Sequence, residues 1–385
     1  MKAPHIYLVA GEASGDILGS RLIKALKEKS PHCIISGIGG ALMAQQGLHS
    51  LFPLQELSIM GILEVLPHIP RILKRLNDTE QDILLKKPDI VITIDAKGFS
   101  FRLAKRLKKY GFPLVHYTAP SVWAWRPKRA QQIARFLDHL LVLFPFEPPY
   151  FEKVGLPTTF VGHPLIEEKF DTSKSTMMRK KFSLEKDKKL ICLLPGSRTR
   201  EVYSLLPIFI EALQQFTQKI KNFHVVIPTL PHFETYIRQE MEKTNLKFSL
   251  ITDEHEKYQA MIASDAAIAA SGTVTLELGL TQTPFLVAYK VNPLTALILK
   301  RLMRIPYVCM VNILLNKPLI GEFIQKNCRP NLISDHLYKI LQKDNNHTLR
   351  QELATIRGLL TNKNKQPSKF AAETIFKILK KYQGS

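Results

Sequence analysis

Short apolar runs alternate with amphipathic stretches along the whole chain. The run IYLVA leads into the helical pattern SRLIKALKEK, and DIVITID leads into FSFRLAKRLKKYG. PLVHYTA passes through the loop PSVWAWRPKRA to DHLLVLFPFE. The apolar runs are short and nearly uninterrupted, as strands buried on both faces are, and the stretches between them carry the one-sided spacing of covering helices. This rhythm predicts a parallel sheet with helices on both sides. It restarts after residue 165. The polar segment IEEKFDTSKSTMMRKKFSLEKDKK reads as a link, and then come LICLLPGSR, the helix EVYSLLPIFIEALQQF, HVVIPT, FSLIT, DAAIAASGT and PFLVAY. The expected class is α/β, with two Rossmann-like domains facing each other across a cleft. The first spans residues 1–165 and the second 189–360, joined by 166–188. A last helix in 361–385, FAAETIFKILKKY, either returns to the first domain or crosses to another subunit. In such folds ligands bind where strand C-termini meet helix N-termini.

Charge narrows the partners. Lys and Arg number 54 against 33 Asp and Glu, a net +21, which favours anionic ligands such as a nucleotide-linked substrate, phospholipid head groups or nucleic acid. Cys33, Cys192, Cys309 and Cys328 are widely spaced without a CxxC pair, so neither a zinc site nor a disulfide framework is indicated. Free thiols suit a reducing cytoplasm. The opening MKAPHIYLVAGEASGD breaks its apolar run too early for a signal sequence. No apolar run reaches the roughly 18 residues that a membrane-spanning helix needs.

Two strand-to-helix joins in the second half suit a phosphate. In DAAIAASGTVTLELGL, Ser271, Gly272 and Thr273 open a helix whose first-turn N–H groups attract anions, and Glu277 one turn later can accept ribose hydroxyls. In LICLLPGSRTREV, Gly196, Ser197 and Arg198 follow the strand, and a guanidinium there can pair with a diphosphate through two hydrogen bonds. Each join also reads blandly, the first as a capped helix and the second as a surface arginine. Both occurring in one domain favours a nucleotide diphosphate site.

The first half offers carboxylates instead. GEASGD is neither a dinucleotide fingerprint nor a P-loop, and Glu12 and Asp16 would repel phosphate. The turn suits a sugar, with Gly11 giving clearance and Ser14 nearby; it also reads as a tight turn with Ser14 as N-cap. Asp95 ends DIVITID and is placed either as a general base or as a helix cap. Trp123 and Trp125 beside Arg126 suit a sugar or acyl chain bearing phosphate, or bases, or else a loop wedged into the core. In IMGILEVLPHIPRILKRL, Ile62, Leu63, Val65, Leu66, Ile69, Ile72 and Leu73 form an apolar face flanked by Arg71, Lys74 and Arg75. That pattern fits a helix lying on an anionic bilayer or one packed in the core, and Pro67 and Pro70 are expected to kink or split it. DEHEK at 253–257 reads as a solvated helix start rather than a metal site.

Together these strings resemble the bacterial lipid-A-disaccharide synthase family. The matching pieces are LVAGEASGDILG, IMGILEVLP, PDIVITIDAKGF, HYTAPSVWAWRPKR, LFPFE, FVGHP, LLPGSRTREV, SDAAIAASGTVTLE and VNILLNKPLIGEFIQ, in order from residue 8 to about 325. The resemblance implies a GT-B glycosyltransferase fold and a metal-free, cofactor-free, inverting reaction of lipid A biosynthesis in Gram-negative bacteria. UDP-2,3-diacylglucosamine would be condensed with 2,3-diacylglucosamine 1-phosphate, yielding a β-1,6 disaccharide 1-phosphate and UDP. The implied setting is peripheral, on the anionic cytoplasmic face of the inner membrane, with a homodimer left open and nucleic acid not a partner. Asp95 matches the family's base or acceptor-positioning acid, and Glu12 its glutamate in GEASGD. Arg198 and Asn312 match positions the family needs for activity. Ser271, Gly272, Thr273 and Glu277 match its UDP-binding loop and helix. One departure stands beside Asp95: Lys97, Gly98 and Ser100 replace the usual Pro, Asp and Asn, which bears on acceptor or acyl-chain preference. Rival readings are another UDP-sugar enzyme of this fold (a 2-epimerase or another lipid glycosyltransferase), a catalytically silent relative, and a non-catalytic protein binding acidic lipid or nucleic acid.

Overall fold

The computed structural model describes residues 3–57, 68–124, 128–168, 170, 175–182, 184, 185, 187–292 and 305–383. The chain forms two compact units, residues 1–167 with 360–385, and residues 168–359.

In the first unit a parallel sheet runs β2-β1-β3-β4-β5-β6. Its strands are β1 (His5–Ala10), β2 (Ile34–Ile38), β3 (Ile90–Ile94), β4 (Leu114–Tyr117), β5 (His139–Val142) and β6 (Thr158–Phe160). Side chains alternate across a strand, so Ile6 and Leu8 pack on one face while Tyr7 and Val9 pack on the other. Helix α1 (Ala13–Lys29) covers the first face with Leu18, Leu22, Ile23 and Leu26. Each of these side chains stabilises the fold by about 1.5–3 kcal/mol. Helices α2 (Ile69–Lys86) and α3 (Lys97–Leu107) cover the second with Leu76, Ile83, Leu103 and Leu107.

The second unit repeats the scheme in the order β12-β11-β10-β7-β8-β9. Its strands are β7 (Lys189–Leu194), β8 (Phe223–Pro228), β9 (Phe248–Ile251), β10 (Ala266–Ala269), β11 (Phe285–Tyr289) and β12 (Gly321–Ile324). The helices used below are α4 (Ser175–Lys181), α5 (Thr199–Phe216), α6 (Glu254–Ala263), α7 (Val274–Leu280) and α8 (Met310–Leu315). Residues 166–188 are not all connection. Helix α4 packs on α6 in the second unit, and its Arg179 reaches Asp265 at 3.2 Å and the Lys188 carbonyl at 2.5 Å. The last helix, α9 (Pro367–Gln383), returns to the first unit of the same chain. There Ile375, Ile378 and Leu379 join the core that α1 covers, and Lys369 pairs with Glu28 at 3.1 Å.

In both sheets the strand order reverses beside the first strand of the unit. At such a switch point the two flanking connections leave in opposite directions and open a crevice at the strand C-termini. Ala10 pairs with Ile94 at the first switch point, and Leu194 with Ala269 at the second. The segments leaving those four strand ends are GEASGD, DAKGF, PGSR and SGT, all of them among the stretches that sequence chemistry selects.

Of the expected bilayer face, Ile62, Leu63, Val65 and Leu66 lie outside the described residues. Pro70 does not kink the helix, because it falls in the first turn of α2, where no N–H is needed. Ile69 and Leu73 are exposed, Ile72 is half-buried against the core, and Leu76 is fully buried. The helix therefore anchors its later turns in the core and leaves apolar side chains outside at its start.

Candidate active site

At the first switch point, β1 ends at Ala10 and α1 starts at Ala13, with Glu12 as its N-cap residue. Ser14 is not the cap. Its hydroxyl donates to Asp95 Oδ2 at 2.6 Å. Asp95 and Ala96 follow β3 with φ of 51° and 43°, the left-handed region that non-glycine residues enter at a cost of order 1–3 kcal/mol. The Asp95 N–H bonds to the Tyr117 carbonyl at 2.7 Å, and its carbonyl accepts from the Ser100 hydroxyl at 2.8 Å, which over-determines this turn. The room expected at Gly11 for a sugar is taken by the protein itself: a Cβ there would sit 2.3 Å from that of Ala96. Asp16 turns away from the site and accepts the N–H groups of Gly40, Leu42 and Met43 at 2.8–3.0 Å. Glu12 and Asp95 thus remain as the carboxylates of the site. Burial, then the nearby Asp95 charge, raises the Glu12 pKa, while Lys97 pulls it down.

Trp123 is buried. Its indole N–H donates to Glu147 Oε1 at 3.2 Å, and its ring meets Phe146 edge-on at 5.1 Å. The core-wedge reading describes it, and Trp125 and Arg126 lie outside the described residues. Glu147 is a second finding here. Its other oxygen accepts the N–H groups of Leu143 and Phe144 at 3.2 and 3.0 Å, and burial pushes its pKa up to about 7. Because the folded state holds that proton more tightly than the unfolded one, the associated stability is present below the ordinary glutamate range. It is lost as pH rises through about 7, an effect on the order of 3 kcal/mol. Thermal melts at about pH 5 and pH 8 should show wild type losing more stability with rising pH than Glu147→Gln. Equal losses in the two proteins would remove Glu147 as the source.

At the second switch point a pocket of about 500 Å³ opens where β7, β8, β9 and β10 end. Gly196, Ser197, Arg198, Ser271, Gly272, Thr273 and Glu277 all line it. Gly272 has φ of 150° and open space where a Cβ would stand, so this glycine serves both the turn and the pocket. Thr273 is the N-cap residue of α7, yet its side chain makes no cap hydrogen bond. The bland reading of Thr273 as a side-chain cap is not met. Glu277 Oε1 accepts from Lys257 Nζ at 3.0 Å and from Tyr258 Oη at 3.3 Å.

Three wall residues escaped the sequence. Lys257 belongs to DEHEK, which does start a helix, with Asp253 capping the Glu256 N–H at 2.9 Å, but the lysine one turn on lines the pocket. A helix start after a strand is a ligand position in this fold, and that was the available signal. Glu201 takes the Arg198 guanidinium at 3.3 Å, the Tyr289 hydroxyl at 2.9 Å and the Ser197 N–H at 3.3 Å, fixing the PGSR loop. Thr229 lines the pocket with its Oγ1 buried and without a partner among the described residues. A buried hydroxyl left so costs about 1–3 kcal/mol unless a ligand bonds it. Asn312 does not line the pocket. It is fully buried and its amide is used inside the protein.

Two doubly wound units place the chain in the GT-B class. Solved structures share that fold at low identity. A UDP-GlcNAc 2-epimerase from Neisseria meningitidis bound to UDP-GlcNAc superposes with a TM-score of 0.65 at 13% identity, covering 97% of this chain and 100% of that one. MurG of Acinetobacter baumannii gives 0.60 at 12%, covering 97% and 99%. A lipid-A-disaccharide synthetase family profile matches residues 6–376. The lipid-A-disaccharide synthase of Rhodospirillum centenum is 42% identical over 99% of this chain and 96% of its own length. That of Paramagnetospirillum magneticum is 41% identical over 97% of each. The chain belongs to the lipid-A-disaccharide synthase family of glycosyltransferases.

Proposed function

We propose that the chain joins UDP-2,3-diacylglucosamine to 2,3-diacylglucosamine 1-phosphate, releasing UDP and leaving a β-1,6-linked disaccharide 1-phosphate. The observation that carries this reading is the convergence of seven residues, chosen as UDP ligands from sequence, on one pocket at a switch point in a chain of this family. Arg198 offers the diphosphate two parallel N–H donors, and the turn at Gly272 and Thr273 offers backbone N–H groups. Glu277 keeps Oε2 for ribose hydroxyls while Lys257 holds Oε1.

Asp95 takes the proton of the attacking 6-hydroxyl, with Ser14 fixing its carboxylate. The bond from that oxygen to the anomeric carbon forms as the bond from the anomeric carbon to the UDP oxygen breaks on the opposite face, which inverts the centre. The negative charge gathering on UDP is met by Arg198 and the turn N–H groups. No described helix is long and apolar enough to cross a membrane. Exposed Ile69 and Leu73, on the same helix as exposed Arg71 and Lys74, support attachment to an anionic membrane surface, where both acylated substrates reside.

Mass spectrometry of a reaction holding both substrates tests the reading. It predicts one acylated disaccharide phosphate and equimolar UDP. A UDP-sugar epimerised without disaccharide would assign the chain to a different reaction of this fold.

A further inference from the structure

Buried Asn312 and half-buried Glu322 at the start of β12 form a polar cluster beside the pocket, outside its walls. The Glu322 carboxylate there accepts the Val308 N–H at 2.9 Å, the Cys309 N–H at 2.9 Å and Asn312 Nδ2 at 2.9 Å. Asn312 completes the cluster by donating to the Ile320 carbonyl and accepting the Ile320 N–H, both at 2.8 Å. Both of its amide hydrogens and one lone pair of its oxygen are therefore used within the protein. With no exposed surface, Asn312 has no route to a bound ligand.

The cluster nevertheless touches the pocket through one segment. Cys309 is the N-cap residue of α8 and makes no cap bond with its own side chain. Glu322 holds the chain just ahead of that helix from a neighbouring strand, through the Val308 and Cys309 N–H groups, with the charge-assisted bonds that N–H donors make to a carboxylate. The held segment then reaches forward. The Val308 carbonyl accepts from the Ser271 hydroxyl at 3.4 Å, at the turn that lines the pocket. Helix α8 packs on α7, where a Cβ at Gly279 would come within 3.1 Å of Val311 Cγ2. The line of contact runs from Glu322 through residues 308–312 to Ser271 and to the helix that carries Glu277.

We propose that Glu322 is a positioning residue of this pocket, with Asn312 as its partner, a role that rests on reading the pocket as the nucleotide-diphosphate site. Only a carboxylate meets the geometry, because among the described residues every group that bonds it is a donor. An isosteric amide would turn an NH₂ against an N–H or against Asn312. Asn312 matters to activity by this route without touching substrate.

Glu322→Gln in the full chain tests this, with UDP titrated by calorimetry and donor and acceptor varied separately in turnover. UDP affinity and donor KM should worsen about tenfold, while acceptor KM stays within about twofold. Hydrogen exchange of amides 270–276 should speed up, with that of β7 and β8 unchanged. UDP affinity within about twofold of wild type, or equal worsening for both substrates, overturns the proposal. Asn312→Asp sets a second carboxylate against Glu322 and should reproduce the donor-selective defect if Glu322→Gln does not fold; wild-type UDP affinity in that folded variant also overturns it. Should the wild-type chain bind no UDP, the reading of the pocket fails. Exchange at 270–276 then still decides the positioning role, since unchanged exchange in Glu322→Gln rejects it.

Discussion

Asp95→Asn lowers turnover about 10²- to 10⁴-fold, the range a positioned general base contributes, and leaves UDP affinity near the wild-type value. The substitution separates chemistry from folding unusually well. Asp95 occupies the left-handed region, which asparagine tolerates at least as well as aspartate, so the strained turn at residues 95 and 96 survives. The amide oxygen of asparagine can still accept the Ser14 hydroxyl, and the backbone bonds to Tyr117 and Ser100 do not involve the side chain. What is lost is the negative charge, and with it the ability to take a proton. The melting temperature should therefore hold while single-turnover rate collapses. Near-normal turnover in Asp95→Asn would move the base elsewhere, and Glu12, whose pKa is raised beside it, would be the next residue to test.

Arg198→Ala should cost about 10²- to 10³-fold in kcat/KM for the donor, the usual loss when one preorganised donor to a developing negative charge is removed. Arg198→Lys should recover only part of it, since an ammonium cannot make two parallel hydrogen bonds to a phosphate. Neither change should alter thermal stability much. The Arg198 side chain is 74% exposed, and its pair with Glu201 at 3.3 Å is of the surface kind, worth at most about 1 kcal/mol. A large drop in melting temperature would mean that the residue holds the loop rather than the ligand. Unchanged kcat/KM would take it out of the site.

Much of this arrangement is legible in the sequence because a doubly wound sheet repeats one rule: an apolar run, a short turn, then an amphipathic helix. Once IYLVA, DIVITID, LICLLP and DAAIAA are read as strands, the turns that follow them are ligand positions. GEASGD, Asp95, PGSR and SGT then need only chemistry to be assigned. What the rule does not carry is how far a small residue's space is used internally. Gly11 looks like clearance for a ligand and is filled by Ala96, and Gly196 lacks a Cβ because Glu201 would meet one at 2.6 Å. Nor does it carry non-local hydrogen bonding. Asn312 and Glu322 are ten residues apart in a segment with no phosphate-binding pattern, and their bonds to each other, to Val308 and to Cys309 exist only once β12 is laid beside β11. Both readings of Trp123 stay open in sequence, and they are separated by Glu147, a buried acceptor that no local spacing reveals. The resemblance to lipid-A-disaccharide synthases supplied the reaction itself, which neither periodicity nor charge determines.

The claim on which the rest depends is that the pocket of the second unit takes a uridine diphosphate. Calorimetric titration of the folded chain with UDP tests it most directly. The account predicts saturable heat for one site per chain, weakened in Arg198→Ala and retained in Asp95→Asn. No heat up to about 1 mM UDP, a dose that half-fills a site worth about −4 kcal/mol, would contradict it.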